Sequence, residues 1–157
     1  TYEEVAIQIT KLQIIFEQSG IKKGDKIALI GKNSSNWAIC LLAVISYGAV
    51  VVPILPDFIA EDVNHIINHS DSVMLLVGDH IVETIENDKI PEVRMTIKLN
   101  DFTLLHAIDK KAAGAIFDNL DNSFKDKFPE GLTHGKFHLE HVPNHELAVI
   151  SYTSGTT

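Results

Sequence analysis

Apolar side chains recur every three or four positions at Val5, Ile9, Leu12, Ile15 and Phe16, the period of one helical face. Thr1 and Glu4 stand ahead of that stripe at capping-box spacing and Gly20 follows it, so the pattern predicts an opening helix that stops before the glycine. The chain then changes to short continuous apolar runs at 26–30, 49–54 and 72–77, which predict strands buried on both faces. A polar turn at 31–36 and a helix at 37–47, closed by Gly48, separate the first two runs. A helix at 60–70 separates the second from the third. Strand and helix in alternation predict a doubly wound α/β layer: a mostly parallel sheet, joined by right-handed crossovers and flanked by helices.

Beyond Gly78 the periodicity weakens. The spacing predicts a short helix at 80–87, an edge strand at 93–99 and a helix at 104–120. Residues 121–145 are polar and broken by Pro129, Gly131, Gly135 and Pro143, which predicts a surface excursion. The apolar run 147–151 predicts a last strand in the same sheet, delivering the final six residues at the sheet's carboxyl end. The chain thus reads as one domain piece, with a well-patterned βαβ part (1–78), a weakly patterned part (79–145) and a strand leading into a polar run (146–157).

Residues 33–56 carry no charge, which formally meets the ~20 apolar residues of a membrane span. The polar stretch 33–36, the break at Gly48 and the β-branched run Val50-Val51-Val52 before Pro53 predict a buried helix and a buried strand instead. A composition that is 45% hydrophobic and 22% charged is globular. The formal net charge is −8, and Arg94 is the only arginine among 13 basic residues, so no basic stripe exists to follow a nucleic-acid backbone. The acidic balance also disfavours docking onto anionic lipid, leaving peripheral membrane contact to regions outside these residues. The single cysteine, Cys40, has apolar neighbours, which predicts a buried structural thiol and excludes an internal disulfide. A reducing, cytoplasmic setting is the expectation, and the first residues show no basic segment of a secretory signal.

Candidate chemistry concentrates in Tyr152-Thr153-Ser154-Gly155-Thr156-Thr157, a hydroxyl-rich, glycine-centred run behind an apolar strand. Backbone N–H groups and small hydroxyls at such a turn surround phosphate oxygens, and glycine permits close approach. The Gly-Lys-Ser/Thr ending of a Walker loop is absent, and the last twenty residues contain no lysine or arginine, so the countercharge must come from elsewhere. His134, His138, His141 and His145 are spaced by four, three and four, which would align imidazoles on a helix. Gly135 and Pro143 argue against that helix, and no metal ligand is assigned. His65 and His69 share an amphipathic, solvent-facing helix stripe, Trp37 reads as a packing anchor, and Asp57, Glu61 and Asp62 as acids answering a helix dipole.

The terminal run resembles the phosphate loop of the AMP-forming acyl-CoA synthetases, relatives of peptide-synthetase adenylation domains and firefly luciferase. In that family the loop reads Tyr-Thr-Ser-Gly-Thr-Thr-Gly-x-Pro-Lys-Gly, of which positions 152–157 carry the first six. The resemblance extends through Thr1-Tyr2, Gly24-Asp25-Lys26-Ile27-Ala28, Asn33-Ser34, Trp37 and Gly48-Ala49-Val50-Val51-Val52-Pro53. It implies the N-terminal ATP- and acyl-binding domain of an adenylate-forming enzyme, using ATP, Mg²⁺ and CoA with a carboxylic acid as substrate. It further implies that Thr153, Ser154, Gly155, Thr156 and Thr157 clasp ATP phosphates. The catalytic lysine and the acyl, adenine and CoA contacts would lie past Thr157, so no catalytic residue is assigned within this stretch and these residues alone are expected to be inactive. Val52-Pro53-Ile54, Ala60-Glu61-Asp62 and Glu146-Leu147-Ala148-Val149-Ile150 look like the long-chain fatty acid branch. The alternatives are an adenylation domain for an amino or aryl acid and a non-catalytic α/β nucleotide-sensing or interaction module.

Overall fold

A computed structural model of the chain describes residues 1–133 and 135–153. Helix α1 (Tyr2–Gln18) opens with the full capping box. The Thr1 side chain accepts from Glu4 N–H, and the Glu4 carboxylate accepts from the amino group of Thr1. Strand β1 (Lys26–Ile30), helix α2 (Ser35–Tyr47), strand β2 (Val50–Ile54), helix α3 (Ala60–His69) and strand β3 (Ser72–Val77) come next. Ser34 caps α2 by accepting from the Trp37 amide at 3.1 Å. Gly48 ends α2 in the left-handed region, φ +85°, and a Cβ there would stand 2.7 Å from Glu140 Cγ, so both conformation and space call for glycine.

The sheet order is β2-β1-β3-β4-β5. β1 pairs parallel with β2 and β3, and β3 pairs parallel with β4 (Met95–Lys98). β5 (Leu104–Ala107) closes the far side antiparallel to β4 through a tight turn in which Phe102 takes φ +58°. The mostly parallel α/β fold with flanking helices is therefore the observed architecture. Alternate residues of each inner strand serve opposite cores. Ile27, Leu29, Met74 and Leu76 join α1 and α2, whereas Ala28, Ile30, Leu75 and Val77 join α3 and the 79–93 segment. That double burial is why the strands read as continuous apolar runs.

Four expectations between residues 79 and 145 need correction. The segment 93–99 does not lie at an edge, because β4 sits between β3 and β5. Residues 104–120 are not one helix: Leu104–Ala107 is β5, and helix α5 (Lys110–Asp118) begins only after Asp109 caps it by accepting from Ala112 N–H at 2.9 Å. The run Leu104-Leu105 fits either period, and cross-strand pairing of Leu104 with Ile97 selects the strand. The short helix expected at 80–87 is a single turn, α4 (Asp79–Val82), followed by a 3-10 turn at Asn87–Lys89. The excursion at 121–145 starts with helix α6 (Leu120–Lys127), whose Asp121 and Lys127 pair with Lys11 and Glu17 of α1. The uncharged stretch 33–56 is α2 and β2, and among the described residues no helix is long and apolar enough to cross a membrane.

Candidate phosphate-loop site

The run 147–151 does not form the full strand expected. A single parallel bridge joins Val149 to Val51 on the outer edge of β2. It is made by Val51 N–H donating to Ala148 O and by Ile150 N–H donating to Val51 O, both at 3.0 Å. Leu147 and Val149 are exposed, so nothing pairs with the outer side of this segment among the described residues to extend it into a strand. Direction is nonetheless set: the chain runs parallel to β2 where 148–150 meet Val51. Thr153 is exposed; Ser154, Gly155, Thr156 and Thr157 lie outside the described residues.

Two side chains anchor the approach to the loop. Ile150 and Tyr152 pack against the core cluster shared by β1, β2, β3 and α3. Tyr152 also places its hydroxyl 2.7 Å from His69 Nδ1, with the two rings perpendicular at a centroid distance of 5.7 Å. Burial and the nearby Asp71 carboxylate hold the Tyr152 phenol above its ordinary range, so it stays protonated at neutral pH.

At the carboxyl ends of the strands, Gly31 and Gly78 succeed β1 and β3, the pair between which the strand order reverses. A Cβ on Gly31 would lie 2.6 Å from Leu99 Cδ1, so a side chain there would displace the buried Leu99. Asn36 ties the same corner by donating to the carbonyls of Leu99 and Asn100 at 2.8 and 2.9 Å. Lys98 pairs with Asp79 at 3.0 Å and Asp101 at 3.7 Å, and the Asp79 hydrogen bond raises the Lys98 ammonium above its usual value. Serine, asparagine and carboxylate groups line this rim; Lys98 is engaged by two acids, whereas Lys32, next to Gly31, is exposed and forms no ion pair among the described residues. Lys32 is the cation this rim offers to a phosphate, since the last twenty residues have no lysine or arginine and Lys98 is held by two acids.

The other candidates separate. Cys40 is fully buried and burial pushes its thiol up to about 12, a packed and unreactive sulfur. Trp37 packs on the α1/α2 core. Glu61 and Asp62 fill the first turn of α3, which has no side-chain cap, so their charge answers the helix dipole. His138 stacks edge-on to Tyr47 and stands 3.6 Å from Glu140, whereas His141 meets Lys23 through its carbonyl; His134 lies outside the described residues. No group of three or more metal-ligating side chains occurs among the described residues. Sequence reasoning missed the His69–Tyr152 contact and the Asn36 tie, since both join residues more than sixty positions apart and leave no local signal.

The profile of the family described as "AMP-binding enzyme" matches residues 1–157. The crotonobetaine/carnitine CoA ligase of Proteus mirabilis is 32% identical over 162 aligned positions, covering 100% of this chain and 29% of that protein. A long-chain-fatty-acid CoA ligase of Mycobacterium bovis is 28% identical over 161 positions, covering 100% of this chain and 24% of that protein. The chain therefore spans 24–29% of the length of these relatives. Among solved structures, an anthranilate CoA ligase in complex with anthranoyl-AMP superposes with a TM-score of 0.75 at 16% identity, covering 99% of this chain and 27% of that one, a likeness of fold. Match and fold together establish that this chain belongs to the AMP-binding enzyme family.

Proposed function

We propose that these residues form the N-terminal part of an ATP-dependent, AMP-forming long-chain fatty acid:CoA ligase, with Thr153, Ser154, Gly155, Thr156 and Thr157 around the ATP phosphates. The observation that carries the reading is the parallel seating of 148–150 on β2, which leads without an intervening element into the hydroxyl-rich run. Backbone N–H groups and hydroxyls of that run are suited to phosphate oxygens, and Gly155 admits close approach. ATP would supply the activated leaving group that lets a carboxylate later meet the thiol of CoA. Mg²⁺ and further cations, with the exposed Lys32, would balance charge that Lys98, held by Asp79 and Asp101, is poorly free to meet. The 157 residues by themselves would then form no adenylate. A cytoplasmic setting, with peripheral membrane contact left to other segments, is part of this proposal.

The test is pyrophosphate release by the full-length protein over a panel of acids: palmitate and oleate against carnitine, anthranilate and amino acids. Preference for the long-chain acids supports the proposal. Preference for another acid replaces the substrate class and keeps the ligase. No release with any acid, together with ATP binding by calorimetry, would leave a nucleotide-sensing module.

A further inference from the structure

We propose that Tyr152 is a positioning residue for the phosphate loop, its hydroxyl bonded to His69 fixing the point from which Thr153 and its successors set out. The inference rests on the ATP reading of that loop. Backbone pairing along β2 ends at Ile150, and among the described residues no backbone hydrogen bond holds 151–153. Ser151 and Thr153 are exposed, so the Tyr152 side chain is the last described point at which this segment is fastened to the domain.

The partner it fastens to is rigid. Val63, Ile66 and Ile67 bury one face of α3, and Ser70 Oγ and Ser72 Oγ lie 2.7 Å apart where the helix passes into β3. Asn68 donates to Lys89 O at 2.8 Å from the same last turn, and the His65 ring stacks 5.6 Å from His69. The phenol donates to a bare Nδ1 or accepts from a protonated one, so the bond serves either histidine state. A loop that must grip phosphates gains from a fixed base, because a small misplacement of binding groups weakens capture.

The experiment uses the full-length protein with Tyr152→Phe, His69→Leu, the double variant and His69→Asn, whose amide places a polar atom near the Nδ1 position. Read out are KM for ATP, KM for the acid, kcat, the urea midpoint and amide hydrogen exchange across 151–157. One neutral hydrogen bond corresponds to about a 3- to 10-fold effect. Tyr152→Phe and His69→Leu are each expected to raise KM for ATP by about that factor, leaving KM for the acid unchanged and lowering the urea midpoint by no more than the loss of one such bond. The double variant is expected to be no worse than the single ones, since both remove the same bond, and His69→Asn to stay within about 2-fold of wild type. Faster exchange at 151–157 in Tyr152→Phe is expected whether or not the protein turns over any acid. Unchanged exchange, or additive effects on KM for ATP, overturn the proposal. A wild type that activates no acid, combined with faster exchange in Tyr152→Phe, retires the ligase reading and keeps Tyr152 as the anchor.

Discussion

Val51 and Ala148 are joined by a 3.0 Å hydrogen bond from amide to carbonyl, and Val51 returns its own carbonyl to Ile150 N–H at the same distance. This exchange covers the free edge of β2 and sets the direction in which the chain leaves the sheet. Ile150→Pro removes the donor of the second bond. Stability in urea is expected to fall by about 1–2 kcal/mol, with ATP binding weakened in parallel. An unaltered urea midpoint and ATP affinity would show that the bridge carries neither stability nor site.

Gly31 and Leu99 meet at a contact that has no room for a methyl group. Gly31→Ala is expected to cost about 1–3 kcal/mol through displacement of Leu99 or of the strand ends. Leu99→Ala costs stability by itself, and the pair combined should be less destabilised than the sum, since the smaller residue 99 admits the new methyl. Equilibrium denaturation of the three variants gives the coupling, and strict additivity rules out the clash as the cause.

Gln13 crosses from α1 to donate to Ser46 Oγ at 2.9 Å and His138 O at 3.3 Å while itself 5% exposed. It therefore links the two helices of one core face to the otherwise irregular 135–146 segment. Gln13→Ala should destabilise by about 1–3 kcal/mol, since His138 O loses this donor and Ser46 Oγ its buried partner. Limited proteolysis should cut first within 130–146 in the variant, and an unchanged cleavage pattern would deny the link.

Cys40 titrates at about 12 in the folded protein against an ordinary 9.0, because burial disfavours the thiolate. The folded state keeps its proton where the unfolded state loses it. The stability contributed by this group is accordingly whole below pH 9 and declines as pH rises from 9 through about 12, by up to about 1.4 kcal/mol per pH unit. Cys40→Ala should flatten that part of the pH–stability curve relative to wild type. Native protein at pH 8 should resist thiol reagents until unfolded, and labelling faster than unfolding would contradict the burial.

Lys26–Ile30 and Ser72–Val77 were legible to the residue, and Val50–Ile54 within one, because double burial writes itself as an unbroken apolar run. The capping box of α1 and the glycine ending α2 were equally plain, being satisfied by residues three or four positions apart. The terminal hydroxyl run pointed to phosphate through residue identity alone.

Sequence by itself thus determined what neighbours in the chain set: the 1–78 βαβ order, its caps and the buried thiol. Tertiary structure decided the rest. Leu104 became strand because β4 offered an unpaired edge, and 120–127 became helix against Lys11 and Glu17. Val149 found β2 across almost a hundred residues, and Tyr152 found His69 across eighty-three. Such pairings depend on which surfaces the folded layers leave within reach, and no period or spacing in the chain encodes that distance.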